Sequence, residues 1–71
     1  MHRRFECVSG SSAKFWEVTV TDKEVKVRFG RLGTEGQCQT KTFASAAAAN
    51  VHVEKVIQQK TEKGYAECAV K

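Results

Sequence analysis

The sequence predicts an α+β fold: an antiparallel β-sheet of four to five strands packed against one C-terminal α-helix. Three observations carry this reading. Between residues 3 and 31, short stretches alternate apolar and polar side chains, the period-2 signature of half-buried strands, and Gly, Ser, Asp and Thr clusters separate them. From residue 46 the apolar positions fall three and four apart, the spacing of an amphipathic helix. The 71 residues contain no Pro and no low-complexity linker, so residues 1–71 are read as a single domain.

The first strand is expected over Arg3 to Val8, where Phe5 and Cys7 alternate with Arg4 and Glu6. Ser9-Gly10-Ser11-Ser12 is a turn cluster. The second strand, Lys14 to Val20, sets Trp16, Val18 and Val20 on one face and Phe15, Glu17 and Thr19 on the other. Thr21-Asp22-Lys23 is short enough to join it to a third, antiparallel strand, Glu24 to Arg31, with Val25, Val27 and Phe29 on a common face. Gly30, Gly33 and Gly36 punctuate the loop that follows, and two readings of it are open: a phosphate cradle or a tight hairpin loop. The fourth strand, Gln37 to Phe43, is polar and threonine-rich and reads as an edge strand or as one with a solvated face. Ser45 is a natural N-cap, the helix runs from Ala46 to Lys63 with Ala46, Ala49, Val53, Val56, Ile57 and Lys60 on one face, and Gly64 stops it. Tyr65 to Val70 reads as a last short strand, giving the order ββββαβ.

Composition narrows the function. A domain of this size buries only about 60% of the surface of its unfolded chain, which leaves little room for a deep substrate pocket. No apolar run reaches the roughly 18 residues that a membrane span needs, so no membrane partner is expected. The basic start Met1-His2-Arg3-Arg4 is not followed by the apolar stretch of a secretory signal, and the expected location is cytoplasmic. His2 is read as part of a disordered tail. Cys7, Cys38 and Cys68 are widely spaced, with no CxxC and no nearby His, so they are read as reduced thiols that pack as small apolar groups. No nucleophile with a base, no carboxylate pair and no ligand set is recognisable. The chain is therefore expected to be no enzyme, with no catalytic residue, no metal site and no cofactor. Twelve Lys and Arg against eight Asp and Glu give a net charge of +4, a mild preference for anionic partners.

The candidate binding cluster is Arg28-Phe29-Gly30-Arg31. Arginine holds phosphate in a bidentate fork, an aromatic face stacks on a sugar or base, and Gly30 lets the chain approach a ligand. Phe29 also shares a face with Val25 and Val27, so a core role stands beside the binding role.

Several blocks in order resemble the WGR domain, named for a Trp-Gly-Arg motif: Lys14-Phe15-Trp16-Glu17, Val27 through Gln37, Thr40-Lys41-Thr42-Phe43, Ser45 through Ala49, and Lys60 through Tyr65. They span most of the chain, from Arg3 to Glu67. The resemblance implies a sheet packed on one helix. In DNA-dependent poly(ADP-ribose) polymerases such domains bind DNA breaks near a 5′ end and relay the event to a catalytic domain; bacterial proteins carry them too. A chain this short resembles the standalone bacterial kind, without ADP-ribosyl transferase activity. The motif tryptophan falls on Phe29, the glycine on Gly30 and the arginine on Arg31. In the polymerases the tryptophan packs against a sugar at the break and the arginine supports the nucleic-acid or interdomain contact. Phe29 keeps a flat apolar face but lacks the indole N–H. Lys14 and Lys41 fall on basic positions of matching blocks. The expected nucleic-acid-binding set is thus Lys14, Arg28, Phe29, Gly30, Arg31 and Lys41, on a non-catalytic module for DNA backbone or strand ends. The alternative is a protein-interaction or regulatory module that binds no nucleic acid. The oligomeric state is open.

Overall fold

A computed structural model describes residues 1–68. Its elements are β1 (His2–Ser9), β2 (Ser12–Thr21), β3 (Glu24–Arg31), β4 (Gln37–Thr42), α1 (Ala46–Glu62) and β5 (Ala66–Cys68). The five strands form one sheet in the order β4-β3-β2-β1-β5, and every neighbouring pair is antiparallel. The expected ββββαβ order and the edge position of β4 are both found.

Strand alternation decides what each face carries. Phe5 on β1 pairs with Trp16 on β2, which pairs with Phe29 on β3; Val18 pairs with Val27 and Val20 with Val25. These residues face α1. Phe5, Trp16, Val18, Val20, Val25, Ala49, Val53 and Ile57 form the core, with Val27, Phe29, Phe43, Val56 and Tyr65 packed at its margin. The helix supplies Ala49, Val53 and Ile57 at its four-residue spacing, and the small side chain of Ala49 lets its first turns lie close to the sheet. A fully buried Val or Phe contributes about 1.5–3 kcal/mol, so this layer accounts for most of the fold's cohesion.

Both helix ends behave as their residues dictate. Ser45 Oγ accepts from the Ala48 N–H at 3.1 Å. At the other end Gly64 N–H donates to the Thr61 carbonyl at 3.1 Å and Tyr65 N–H to the Lys60 carbonyl at 3.0 Å. This is the Schellman closure, and Gly64, at φ +103°, supplies the left-handed residue it needs.

The opposite face has no helix. Among the described residues its one buried apolar side chain is Phe15, only 2% exposed. Arg4 lies 4.7 Å from its ring centroid and Arg28 5.6 Å, and the glycine loop closes over it.

Three expectations need correction. His2 is no loose tail: it pairs with Thr19 in β1 and its Nε2 lies 3.0 Å from Glu17 Oε2, because β2 is long enough to template it. Cys38 does not pack as an apolar group; it is exposed on the edge strand β4, while Cys7 and Cys68 are half-buried. Tyr65 lies outside the last strand, its N–H consumed by the helix closure. The expected continuation of that strand to Val70 falls outside the described residues.

Candidate nucleic-acid interface

The β2–β3 ladder sets Lys14 directly opposite Arg31, two pairs beyond Trp16 and Phe29 and so on the same face, the one that α1 covers. The helix ends at this same corner. Its Schellman closure turns the chain back so that the Lys60 ammonium lies 5.3 Å from the centroid of the Tyr65 ring. Lys14, Phe29, Gly30, Arg31, Lys60 and Tyr65 thereby line one cavity of about 530 Å³, together with Phe15 and residues 11–13. A second cavity of about 460 Å³ shares Ser12, Lys14, Lys60 and Tyr65 and adds Cys7 and Lys63.

Among the described residues no carboxylate lines either cavity, and none pairs with Lys14, Arg31 or Lys60. Lys14 and Arg31 are exposed and Lys60 is half-buried. The Lys60 ammonium is held below the ordinary lysine range, first by burial and then by repulsion from Lys63 and Lys14. An anion entering here would relieve that repulsion without displacing an existing partner.

The glycine loop shapes the corner through packing. A Cβ on Gly30 would stand 2.8 Å from the Gly36 Cα. One on Gly36, at φ +71°, would stand 2.3 Å from the Phe29 carbonyl oxygen and 2.9 Å from the Phe15 ring. Of the two readings, the tight loop is the one these contacts explain: the glycines bring two backbones together under the motif. Thr34 reinforces the turn, its Oγ1 donating to the Arg31 carbonyl at 2.7 Å.

The six residues singled out from the sequence do not gather in one place. Lys14, Phe29, Gly30 and Arg31 meet at the cavity. Phe29 is half-buried, so its ring serves the core margin with one side and the cavity with the other. Arg28 lies on the helix-free face, where its Nη2 is 3.0 Å from Glu17 Oε1. Lys41 pairs in register with Val25, its ammonium 5.2 Å from the Phe43 ring centroid. From Val25 to Arg31 the strand runs about 20 Å, so Lys41 belongs to the far end of the sheet. Lys60 and Tyr65 complete the corner and were not in the expected set. A lysine on the core-facing stripe of a helix, followed by Gly-Tyr at the stop, is the sequence signal that points to them.

The family whose description matches the chain is the WGR domain, over residues 1–70. The chain belongs to the WGR domain family. WGR is a binding domain, and the five-stranded sheet with one helix is its architecture. Similar proteins include Protein YehF of Escherichia coli (strain K12), 40% identical over 67 residues, which are 94% of this chain and 24% of that protein. The uncharacterized Escherichia coli protein YfeS is 33% identical over 67 residues, 94% of this chain and 28% of its own length. A crystal structure of a Bacteroides fragilis protein superposes with a TM-score of 0.93 at 43% identity, covering 97% of this chain and 20% of that one. The chain thus spans about a quarter or less of the length of most of these relatives, from 20% to 28%. Among the described residues no helix is long and apolar enough to cross a membrane, and no cluster of three His, Cys, Asp or Glu is placed to hold a metal ion.

Proposed function

We propose that this WGR domain is a non-catalytic binding module for nucleic acid, in the first place DNA gripped by its phosphate backbone near a strand end. The observation that carries the proposal is the cavity corner itself: Lys14, Arg31 and Lys60 converge around Phe29 and Tyr65, with no carboxylate among the described residues to neutralise them. Unpaired cations beside flat rings match the two repeating features of a nucleic-acid strand, phosphate and a stackable sugar or base. The net charge of +4 adds a favourable long-range field. Family membership supports the same ligand class through the Phe29-Gly30-Arg31 motif positions. Backbone contacts dominate on this reading, so sequence preference is weak.

The test is a titration of a 5′-phosphorylated nicked duplex at several salt concentrations. Three neutralised phosphates give a slope of log K against log salt of about −2.7, at about −0.9 for each duplex phosphate. Absence of binding in low salt at tens of micromolar protein, by the usual scale of non-specific affinity, ends the proposal.

A further inference from the structure

The sheet has two edges, and they are built differently. β5 is three residues long and is clasped by Arg3, whose Nε and Nη2 each lie 2.7 Å from a carboxylate oxygen of Glu67. β4 is six residues long, exposed at every position, and paired one-to-one with β3 without a bulge. It carries no Pro, and its one charged residue, Lys41, lies back towards the Phe43 ring. Bulges, prolines and charged side chains, lysine above all, normally keep an edge from pairing, and of these β4 has Lys41 alone.

The direction of the free backbone groups follows from the ladder. Phe43 N–H donates to the Lys23 carbonyl at 2.9 Å. Hydrogen-bonded positions alternate along an antiparallel pair, so Lys41, Gln39 and Gln37 bond inward to β3. Cys38, Thr40 and Thr42 therefore direct their N–H and C=O groups outward. On the helix side, this edge borders a cavity of about 470 Å³ lined by Val25, Val27, Gln39, Lys41 and His52. On the other side, Lys26 is exposed and stands opposite Thr40 in register. From Gly36 to Val53 the sequence contains no Asp or Glu, and Glu24, opposite Thr42, is the carboxylate that stands at the end of this edge.

We infer that β4 is a docking edge for an extended acidic segment of a partner protein, added to the sheet as a sixth strand. Charge selects this occupant. A second copy would bring another net +4 and set Lys41 diagonal to its own twin, whereas carboxylates on the open face meet Lys26 across the short side chains of Cys38 and Thr40. Alternate apolar side chains of the incoming strand point to the helix side and reach the cavity by Val27 and His52. The edge adjoins the strand that carries Arg31, but its outward groups and Lys26 are not among the residues of the Arg31 corner, so the inference does not rest on nucleic-acid binding.

The probe is the peptide acetyl-Glu-Val-Glu-Val-Glu-Val-Glu-amide, followed by amide chemical shifts of the protein, with the Lys-for-Glu peptide as control. Saturable shifts at Cys38, Thr40 and Thr42, absent with the control, are the expected result. Thr40→Pro removes an outward N–H that β3 does not use, and weakens binding about tenfold or more, the equivalent of about 1.4 kcal/mol. Lys26→Glu, a change at an exposed side chain, weakens it too and serves if the proline variant fails to fold. Shifts confined to Lys14, Arg31 and Lys60, equal binding of both peptides, or no binding would overturn the inference. So would a self-association that Thr40→Pro abolishes, since the occupant would then be a second copy.

Discussion

The two faces of the sheet carry similar cations and put them to different uses. On the helix-free face Glu17, with only 15% of its side chain exposed, receives His2 at 3.0 Å, Arg28 at 3.0 Å and Arg4 at 3.7 Å, and Arg4 also reaches Glu6 at 3.1 Å. There the guanidinium groups roof Phe15 and are already spoken for. On the helix-covered face Lys14, Arg31 and Lys60 crowd one corner with no such acceptor among the described residues. Cation type and count therefore do not mark an anion site. Pairing does, because a cation already bonded to a carboxylate must give up that bond before it can take a phosphate.

The strongest way to break the comparison is to remove what separates the faces. Gly36→Ala puts a Cβ against the Phe29 carbonyl and the Phe15 ring at a left-handed φ. It should cost about 2 kcal/mol or more, from left-handed strain plus the clash, and chemical denaturation with Trp16 fluorescence measures it. Gly33→Ala, where nothing lies within 4 Å, should cost less because only the φ of +88° opposes it. Equal effects at the two positions would mean that the loop does not pack on Phe15.

A helix-cap change tests how the cationic corner is assembled. Ser45→Ala removes the acceptor for the Ala48 N–H and should cost about 1 kcal/mol in denaturation, with no change in the geometry of the distant Lys60–Tyr65 corner. Gly64→Ala acts at that corner instead. It opposes the φ of +103° that the Schellman closure requires, and should both destabilise the fold by about 1 kcal/mol and displace Tyr65 from Lys60, read as a change in Tyr65 ring shifts.

Much of the architecture was legible because it is local. Period-2 alternation defines β1 to β3, and Ser45 and Gly64 bracket the helix through hydrogen bonds within a few residues. Part of the candidate site was legible in the same way. Arg28 and Arg31 lie an odd number of positions apart on β3, so strand parity alone sends them to opposite faces, and only Arg31 shares the face of Phe29. The rest depends on tertiary assembly. Nothing in the sequence near Lys14 announces that the end of α1 will deliver Lys60 and Tyr65 beside it. The distance of Lys41 from Arg31 depends on the β3–β4 register, which block-by-block resemblance does not specify.

Titration sharpens the comparison with a smaller effect. The folded state holds the Lys60 proton less tightly than the unfolded chain does, so between its lowered folded value and the ordinary lysine value the unfolded state binds more protons. Stability should therefore rise slightly with pH in that alkaline window, and Lys60→Gln should flatten the rise. At acid pH the sign is set by Glu67, whose carboxyl is held below its ordinary value by the hydrogen bond from Arg3. Its contribution is present above the unfolded carboxyl value and is lost as pH falls through the depressed folded one. Because this pair is solvent-exposed, Glu67→Gln should change the acid unfolding midpoint only slightly.

On the proposed function the unpaired corner, and not the paired face, takes the anion. The direct measurement is the salt dependence of binding to a 5′-phosphorylated nicked duplex for Arg31→Ala and Arg28→Ala side by side, with circular dichroism verifying that both fold. Arg31→Ala should weaken binding and reduce the salt slope by about 0.9, the loss of one phosphate contact, while Arg28→Ala leaves the slope unchanged. A slope that falls with Arg28→Ala and holds with Arg31→Ala would contradict the claim and move the interface to the helix-free face.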